Sequence, residues 1–322
     1  MESPKYTSQR SNDKVQALIS NSPSRERDLN TMLGGNSEIH TSKPGEAKRI
    51  DIWTESVFYQ FFNEFKSVYR QKFKDGLVEI MGDEATAQFL QAVSLWGDGK
   101  SKRVKDPLVL GLKRSVMHAV KMTTAEAASL QKTAPARIAA EIQEDVDDAE
   151  VDEAEGDFEL TNDEVFAILE LNQKLLAESI SECNTWLQKI NAEPISINEV
   201  LCFRGMTFQE PQFTKAREAY DPREYITSFS LSQSAAEQFA TMRDPAQGQS
   251  VMLCSFLNDI SDRILFFSPF VDMPTLQFEV GVVPFKTQHY CHSLGYENYT
   301  SEDGKNLKVD FYMLDHKTTF EE

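Results

Sequence analysis

Cysteine is scarce in this 322-residue chain. Its four residues, Cys183, Cys202, Cys254 and Cys291, lie far apart and form no CxxC pair. That spacing argues against a disulfide framework or a zinc site and points to a reducing, intracellular compartment. Long apolar runs are missing as well: none approaches the ~20 residues needed to span a bilayer. The first twenty or so residues are polar and of mixed charge, unlike a secretory signal. Positive charge is also short, with 33 Lys and Arg against 51 Asp and Glu and a formal net charge of −18. Such a chain has no general electrostatic pull on a phosphate backbone, so nucleic acid is disfavoured as a partner or acceptor. What remains is ordinary for a globular protein: 40% hydrophobic and 26% charged residues, enough for a sizeable core.

Residues 1–48 are rich in Ser, Asn, Lys, Arg and Gly and poor in large apolar side chains. They cannot offset their ordering entropy and are expected to form a disordered tail. A helical N-terminal domain is expected over 49–143. Within it Val57, Phe58, Phe61, Phe62, Phe65, Val68, Tyr69 and Phe73 recur at helical spacing, an aromatic stripe read as core-facing rather than as a membrane or partner surface. Further helical segments follow near 84–96 and 107–143. Residues 144–160 belong to a run dense in Asp and Glu and devoid of Lys and Arg; like charges at that density keep a chain extended, as a linker.

The region 161–322 opens on a long helix from about Asp163 to Ile190. Thr161 and Glu164 are spaced as a capping box, and Val165, Ile168, Leu169, Leu176, Ile180, Cys183, Leu187 and Ile190 fall on one face. Short runs of strand character follow at Val200–Phe203, Tyr225–Phe229, Val251–Phe256, Ile264–Phe267, Leu276–Val283 and Val309–Leu314. The fold class is therefore α+β: a helical N-terminal region, then a leading helix and a sheet.

Three of these runs carry candidate chemistry. In Leu201-Cys202-Phe203-Arg204-Gly205-Met206, a permanently charged fork of donors precedes a glycine, a combination suited to a pyrophosphate brought close to backbone. In Tyr225-Ile226-Thr227-Ser228-Phe229-Ser230-Leu231-Ser232, Ser228 and Ser230 share one face of a strand, and Ser232 or Ser234 reads as the cap of a following helix. In Leu276-Gln277-Phe278-Glu279-Val280, strand alternation turns Gln277 and Glu279 the same way. A carboxylate projecting into a cleft stabilises positive charge that exists only in a transition state. Each segment alone has a bland alternative, as a turn, a strand end or an exposed edge pair. His289 and His292 flank Cys291, but without a fourth ligand at suitable spacing they are read as ordinary strand and loop residues.

Arg, then Ser-x-Ser, then Gln-x-Glu, in that order and each on an expected strand, resembles the arginine–serine–glutamate class of mono-ADP-ribosyltransferases, over about residues 195–290. That class includes clostridial Rho-modifying exoenzymes, vertebrate ectoenzymes and the phage Alt and Mod proteins. The helix end Trp186-Leu187-Gln188-Lys189-Ile190 shortly before Phe203-Arg204-Gly205 is most similar to the phage members. The resemblance implies a split β-sandwich over 161–322, transfer of ADP-ribose from NAD to a macromolecule with release of nicotinamide, and no metal. It assigns NAD contacts to Arg204, Gly205 and Ser230, with Arg243 as a cover for the phosphates. Ser228 would position the catalytic Glu279, and Gln277 would shape acceptor choice. Glutamate is usual at that place in arginine-modifying members, so Gln277 favours another acceptor. Phe229 departs from the usual threonine between the two serines. Residues 267–274 resemble the family's loop before the catalytic strand, which would make Phe270 the aromatic that touches the target. The implied partner is a host protein, met in the cytoplasm of a host cell after virion delivery or secretion. The alternatives are an NAD glycohydrolase, with water as acceptor, and a non-catalytic packaged or interaction protein on the same fold.

Overall fold

The computed structural model describes residues 6–10, 52–97, 106–120, 158–189, 192, 194–220, 226–241, 248–273, 278–284, 289–301 and 306–319. Nearly all of the expected tail and acidic linker lies outside these residues, as does the expected helix beyond residue 120. Five α-helices are described: α1 (Ile52–Gly97), α2 (Pro107–Ala119), α3 (Asn162–Lys189), α4 (Gln233–Thr241) and the short α5 (Leu257–Ile260). The strands are β1 (Tyr6–Arg10), β2 (Leu201–Phe208), β3 (Arg217–Tyr220), β4 (Thr227–Ser230), β5 (Gln249–Phe256), β6 (Ile264–Phe267), β7 (Glu279–Val282), β8 (His289–Ser301) and β9 (Asn306–Thr319).

The helices begin and break where local chemistry dictates. α1 turns at Gly82, whose φ of 80° is a conformation that side chains with a Cβ rarely adopt. Asp106 caps α2 by accepting from the Leu108 backbone N–H at 3.0 Å, with Pro107 at the first helical position. The capping box of α3 forms as its sequence indicates: the Glu164 N–H reaches Thr161 Oγ1 at 3.3 Å and the Thr161 N–H reaches Glu164 Oε2 at 2.7 Å. The expected apolar face of α3 is buried from Val165 to Leu187. It also carries Asn172, fully buried, whose Nδ2 donates to the Leu265 carbonyl of β6 at 2.8 Å. A polar residue thus fastens the helix to the sheet, which the apolar periodicity did not indicate.

The strands form one sheet in the order β1-β8-β9-β5-β2-β4-β7-β6, with β3 pairing on β8. Its pairings are antiparallel except β5–β9, which is parallel. Pairing is uneven. β2 meets β5 over eight residue pairs, from Leu201–Phe256 to Phe208–Gln249. β2 meets β4 through a single pair, Phe203–Ser230. The sheet is therefore two ladders, β1-β8-β9-β5-β2 and β4-β7-β6, joined at a narrow seam.

Alternation along β2 divides the core. Leu201 and Phe203 join Ala236 and Ala240 of α4, Met252 and Cys254 of β5, and Leu307, Val309 and Phe311 of β9. Cys202, on the other face, belongs to a much larger cluster that runs from α1 through α3 to β6 and β7. Phe61, Phe62, Tyr69 and Phe73 of α1 lie in that same cluster, so the regions 49–143 and 161–322 share a core. The contact is specific. Phe62 meets Phe267 edge to face at 5.6 Å, Tyr69 stacks on Phe270 at 5.6 Å, and Phe73 lies 6.2 Å from Phe270. Tyr69 also donates to Glu182 of α3 at 2.6 Å, and Arg70 pairs with Asp272 at 2.8 Å.

β6 has the limits its sequence indicates; β7 is described over Glu279–Val282, inside the expected run 276–283, and Phe278 before it is not extended. β3 and β8 were not legible as strands. β8 is mostly polar and is held by its pairing with β9 across a bulge between Ser293 and Gly295.

Phe270 is 1% exposed within this aromatic cluster. Phe270→Ala is expected to cost about 3–5 kcal/mol of stability, measured by urea unfolding of the full chain. Val68, read from sequence as part of the core-facing stripe, is instead 46% exposed, and Val68→Ala is expected to change stability by no more than about 0.5 kcal/mol.

Candidate functional site at the sheet seam

Arg204, Ser228 and Glu279, which are distant in sequence, meet at the seam between the two ladders. In the β4–β7 register Ser228 faces Gly281 and Ser230 faces Glu279, so Ser228 and Glu279 are diagonal neighbours on one face of the pair. The short serine and the longer glutamate close that diagonal: Ser228 Oγ donates to Glu279 Oε1 at 2.5 Å. Arg204, on β2, reaches across the seam and donates from Nη1 to the Ser228 carbonyl at 3.1 Å. Where backbone pairing between β2 and β4 gives out, a guanidinium continues the connection.

A fourth group arrives from the N-terminal helices. Trp96, in the last turn of α1, donates its indole N–H to Ser228 Oγ at 3.2 Å. The ammonium of Lys113, from α2, sits 5.6 Å from the Trp96 ring centroid. No chemistry-bearing pattern marks Trp96 in the sequence. Phe89, Ala92, Val93 and Trp96 follow i, i+3, i+4, i+7 spacing, which signals a buried helix face and nothing more.

Glu279 is 9% exposed. Burial pushes its carboxyl above the ordinary carboxylate value, opposed by the hydrogen bonds of Ser228 and Trp96 and by the charge of Arg204. The residue before it is bent: Phe278 has φ of 47°, a left-handed conformation that a bulky residue adopts only under constraint. The constraint is visible. The Phe278 carbonyl accepts from the Leu231 N–H at 3.1 Å and its side chain is 4% exposed. This bend, anchored beside β4, sets the direction in which β7 begins and hence where Glu279 points.

The other expected site residues fall in varied places. Ser230 is 8% exposed, and its Oγ accepts from the Ser232 N–H at 2.9 Å in the turn entering α4. Ser232 Oγ then accepts from the Ala235 N–H at 3.2 Å, so of the two serines read from sequence as the helix cap, Ser232 takes that place. Gly205 lies against α4: an added Cβ would stand 1.8 Å from the Ala236 carbonyl oxygen and 2.6 Å from the Ala240 nitrogen. Close packing of helix on strand therefore requires this glycine independently of any ligand. Phe270 corrects an expectation. The ring read as touching a target is enclosed by Phe62, Tyr69, Phe73 and Phe267, because the helices upstream cover the turn that carries it. Gln277 and Arg243 lie outside the described residues.

His289, Cys291 and His292 all belong to β8. Cys291 Sγ donates to the Glu218 carbonyl at 3.6 Å and His292 meets Asp315 at 3.1 Å. Among the described residues no group of three or more His, Cys, Asp or Glu side chains is placed to hold a metal ion, and no helix is long and apolar enough to cross a membrane. A cavity of about 320 Å³ lies elsewhere on the sheet, lined by Thr214, Lys215, Tyr296, Lys308, Asp310 and Tyr312 among others, and includes none of the seam residues. Comparison of the chain with protein-family models, with curated proteins and with solved structures finds no match.

A carboxyl raised by burial favours the protonated folded protein, so its ionised form weakens folding. That penalty is absent below the unfolded value of 4.5, grows as pH rises from there, and is complete above the folded value. Glu279→Gln is accordingly expected to melt at a higher temperature than wild type at pH 7.5, with the gap closing toward pH 4. Scanning calorimetry across that range checks both the sign and the trend.

Proposed function

We propose that the seam is the active site of an NAD-dependent mono-ADP-ribosyltransferase, built on a split β-sandwich of that family's kind. The observation that carries this is the meeting of Arg204, Ser228 and Glu279 from three strands, with the Glu279 carboxylate held by the Ser228 hydroxyl. The near-division of the sheet between β2 and β4 also suits a split sandwich.

The donor and acceptor set fits the substrate. Arg204 offers a cation for the pyrophosphate. Glu279 offers an acceptor for a ribose hydroxyl and a negative charge beside the sugar carbon that becomes electron-poor as nicotinamide leaves. The C–N glycosidic bond breaks with its electron pair departing on nicotinamide. A nucleophile on the acceptor bonds to the same carbon and gives up its proton. In this scheme Ser228 keeps the carboxylate in place and accounts for no bond change. A carboxylate that weakens folding is costly to keep in a passive module, which counts against a non-catalytic role.

The acceptor is a protein side chain of a host cell in this proposal. The burial of Phe270 removes the residue that would have presented such an acceptor, and this specific observation favours a second reading, NAD glycohydrolysis with water as nucleophile. Nicotinamide release measured with and without cell lysate, together with labelled ADP-ribose transfer, separates the two.

For either acceptor, Glu279→Ala is expected to keep the fold and lower NAD cleavage by at least ~10²-fold, the scale for removing a preorganised electrostatic stabiliser. Near-wild-type cleavage by the folded variant would remove Glu279 from the chemistry. Arg204→Ala is expected to raise the NAD dissociation constant by roughly tenfold or more, read by calorimetry.

A further inference from the structure

We propose that Trp96 is a positioning residue for Glu279, acting through Ser228: its indole N–H occupies the serine oxygen, so the serine proton is directed to the carboxylate and holds it as an ionised acceptor. The catalytic meaning of this assignment rests on the function proposed above; the hydrogen-bond relay itself does not.

An indole can only donate, whereas a serine hydroxyl has one proton and two acceptor sites. With Trp96 Nε1 donating to Ser228 Oγ at 3.2 Å and Ser228 Oγ 2.5 Å from Glu279 Oε1, the serine proton has one productive direction. A protonated Glu279 would have to donate into the second acceptor site of Ser228, and the serine proton would then lose the carboxylate oxygen that now accepts it. The relay therefore prefers the charged carboxylate, the form required to accept from a sugar hydroxyl and to oppose positive charge.

Trp96 is well supported in this position. Three residues on its own helix face, Phe89, Ala92 and Val93, are fully buried and fix the last turns of α1 against the rest of the core. The turn at Gly82 sets the direction of this second limb. Lys113 of α2 meets the indole ring, which adds a cation–π contact. Among the described residues, the charge that acts on Glu279 is that of Arg204 from β2, and Lys113 from α2 faces the indole. β4 (Thr227–Ser230) and β6 (Ile264–Phe267) contribute no titratable side chain. The hydrogen bond of Trp96 acts in the same direction as that of Ser228 and the charge of Arg204, against the upward push of burial.

The test uses the full chain. Trp96→Phe keeps a ring and removes the N–H. The acidic limb of its pH profile for NAD cleavage is expected to move upward by roughly 0.5 to 1 pH unit, the size of one hydrogen bond. A residue that serves packing alone would lower activity or melting temperature and leave the limb in place. An unmoved limb in the folded variant overturns the proposal. A second measurement needs no Trp96 variant. In wild type the Trp96 indole proton resonance is expected to shift with pH in one step, and that step is expected to vanish in Glu279→Gln and in Ser228→Ala. An indole resonance indifferent to both changes overturns the proposal as well. If the step appears but no NAD is cleaved at any pH, the relay stands and the transferase reading fails.

Discussion

The structure turns on the burial of one carboxylate at a place where the sheet nearly divides. Glu279 lies at the start of β7, almost out of water, and a charge so placed is costly unless paired and hydrogen-bonded. Ser228, Arg204 and Trp96 share that task from three different elements. Each is needed elsewhere too: Ser228 belongs to the β4–β7 ladder, Arg204 ties β2 to β4, and Trp96 ends the helix that covers the core. The site is thus part of the fold's construction, and its geometry follows from how the two ladders and α1 are held together.

The seam explains why this site is possible. A continuous ladder between β2 and β4 would use the Ser228 carbonyl and the space beside it for backbone pairing. With a single pair, Phe203–Ser230, side chains occupy that space instead. Gly205 permits α4 to press on β2 from the opposite face, leaving Arg204 directed toward the seam. The bent backbone at Phe278, held by Leu231, completes the arrangement by aiming β7. Strain of this kind persists where surrounding contacts over-determine it.

The N-terminal helices have a part in this that their sequence does not announce. Their aromatic stripe packs on the turn 268–270 and on α3, so α1 and the sheet share a core. Through that packing the far end of α1 is carried to Ser228. Region 49–143 therefore contributes to the site directly, through Trp96, and indirectly, by enclosing Phe270.

By itself the sequence determined the elements with strong local signals. The capping box at Thr161 and Glu164, the apolar face of α3, the buried aromatics Phe61, Phe62, Tyr69 and Phe73 of α1, the limits of β6 and a serine cap ahead of α4 all follow from periodicity and short-range hydrogen bonding, which act within a few residues. It also offered Arg204, Ser228 and Glu279 as candidates, each with a bland alternative alone and joined only by the order of the three segments and the resemblance they carry. Tertiary structure decided what depends on contacts across the chain. It brought β8 into the sheet through β9 rather than through propensity, and made Asn172 a tie to β6. It turned Phe270 inward because α1 covers it. It also gave Trp96 a polar partner 132 residues away, for helical spacing reveals which face is buried but not what that face will meet.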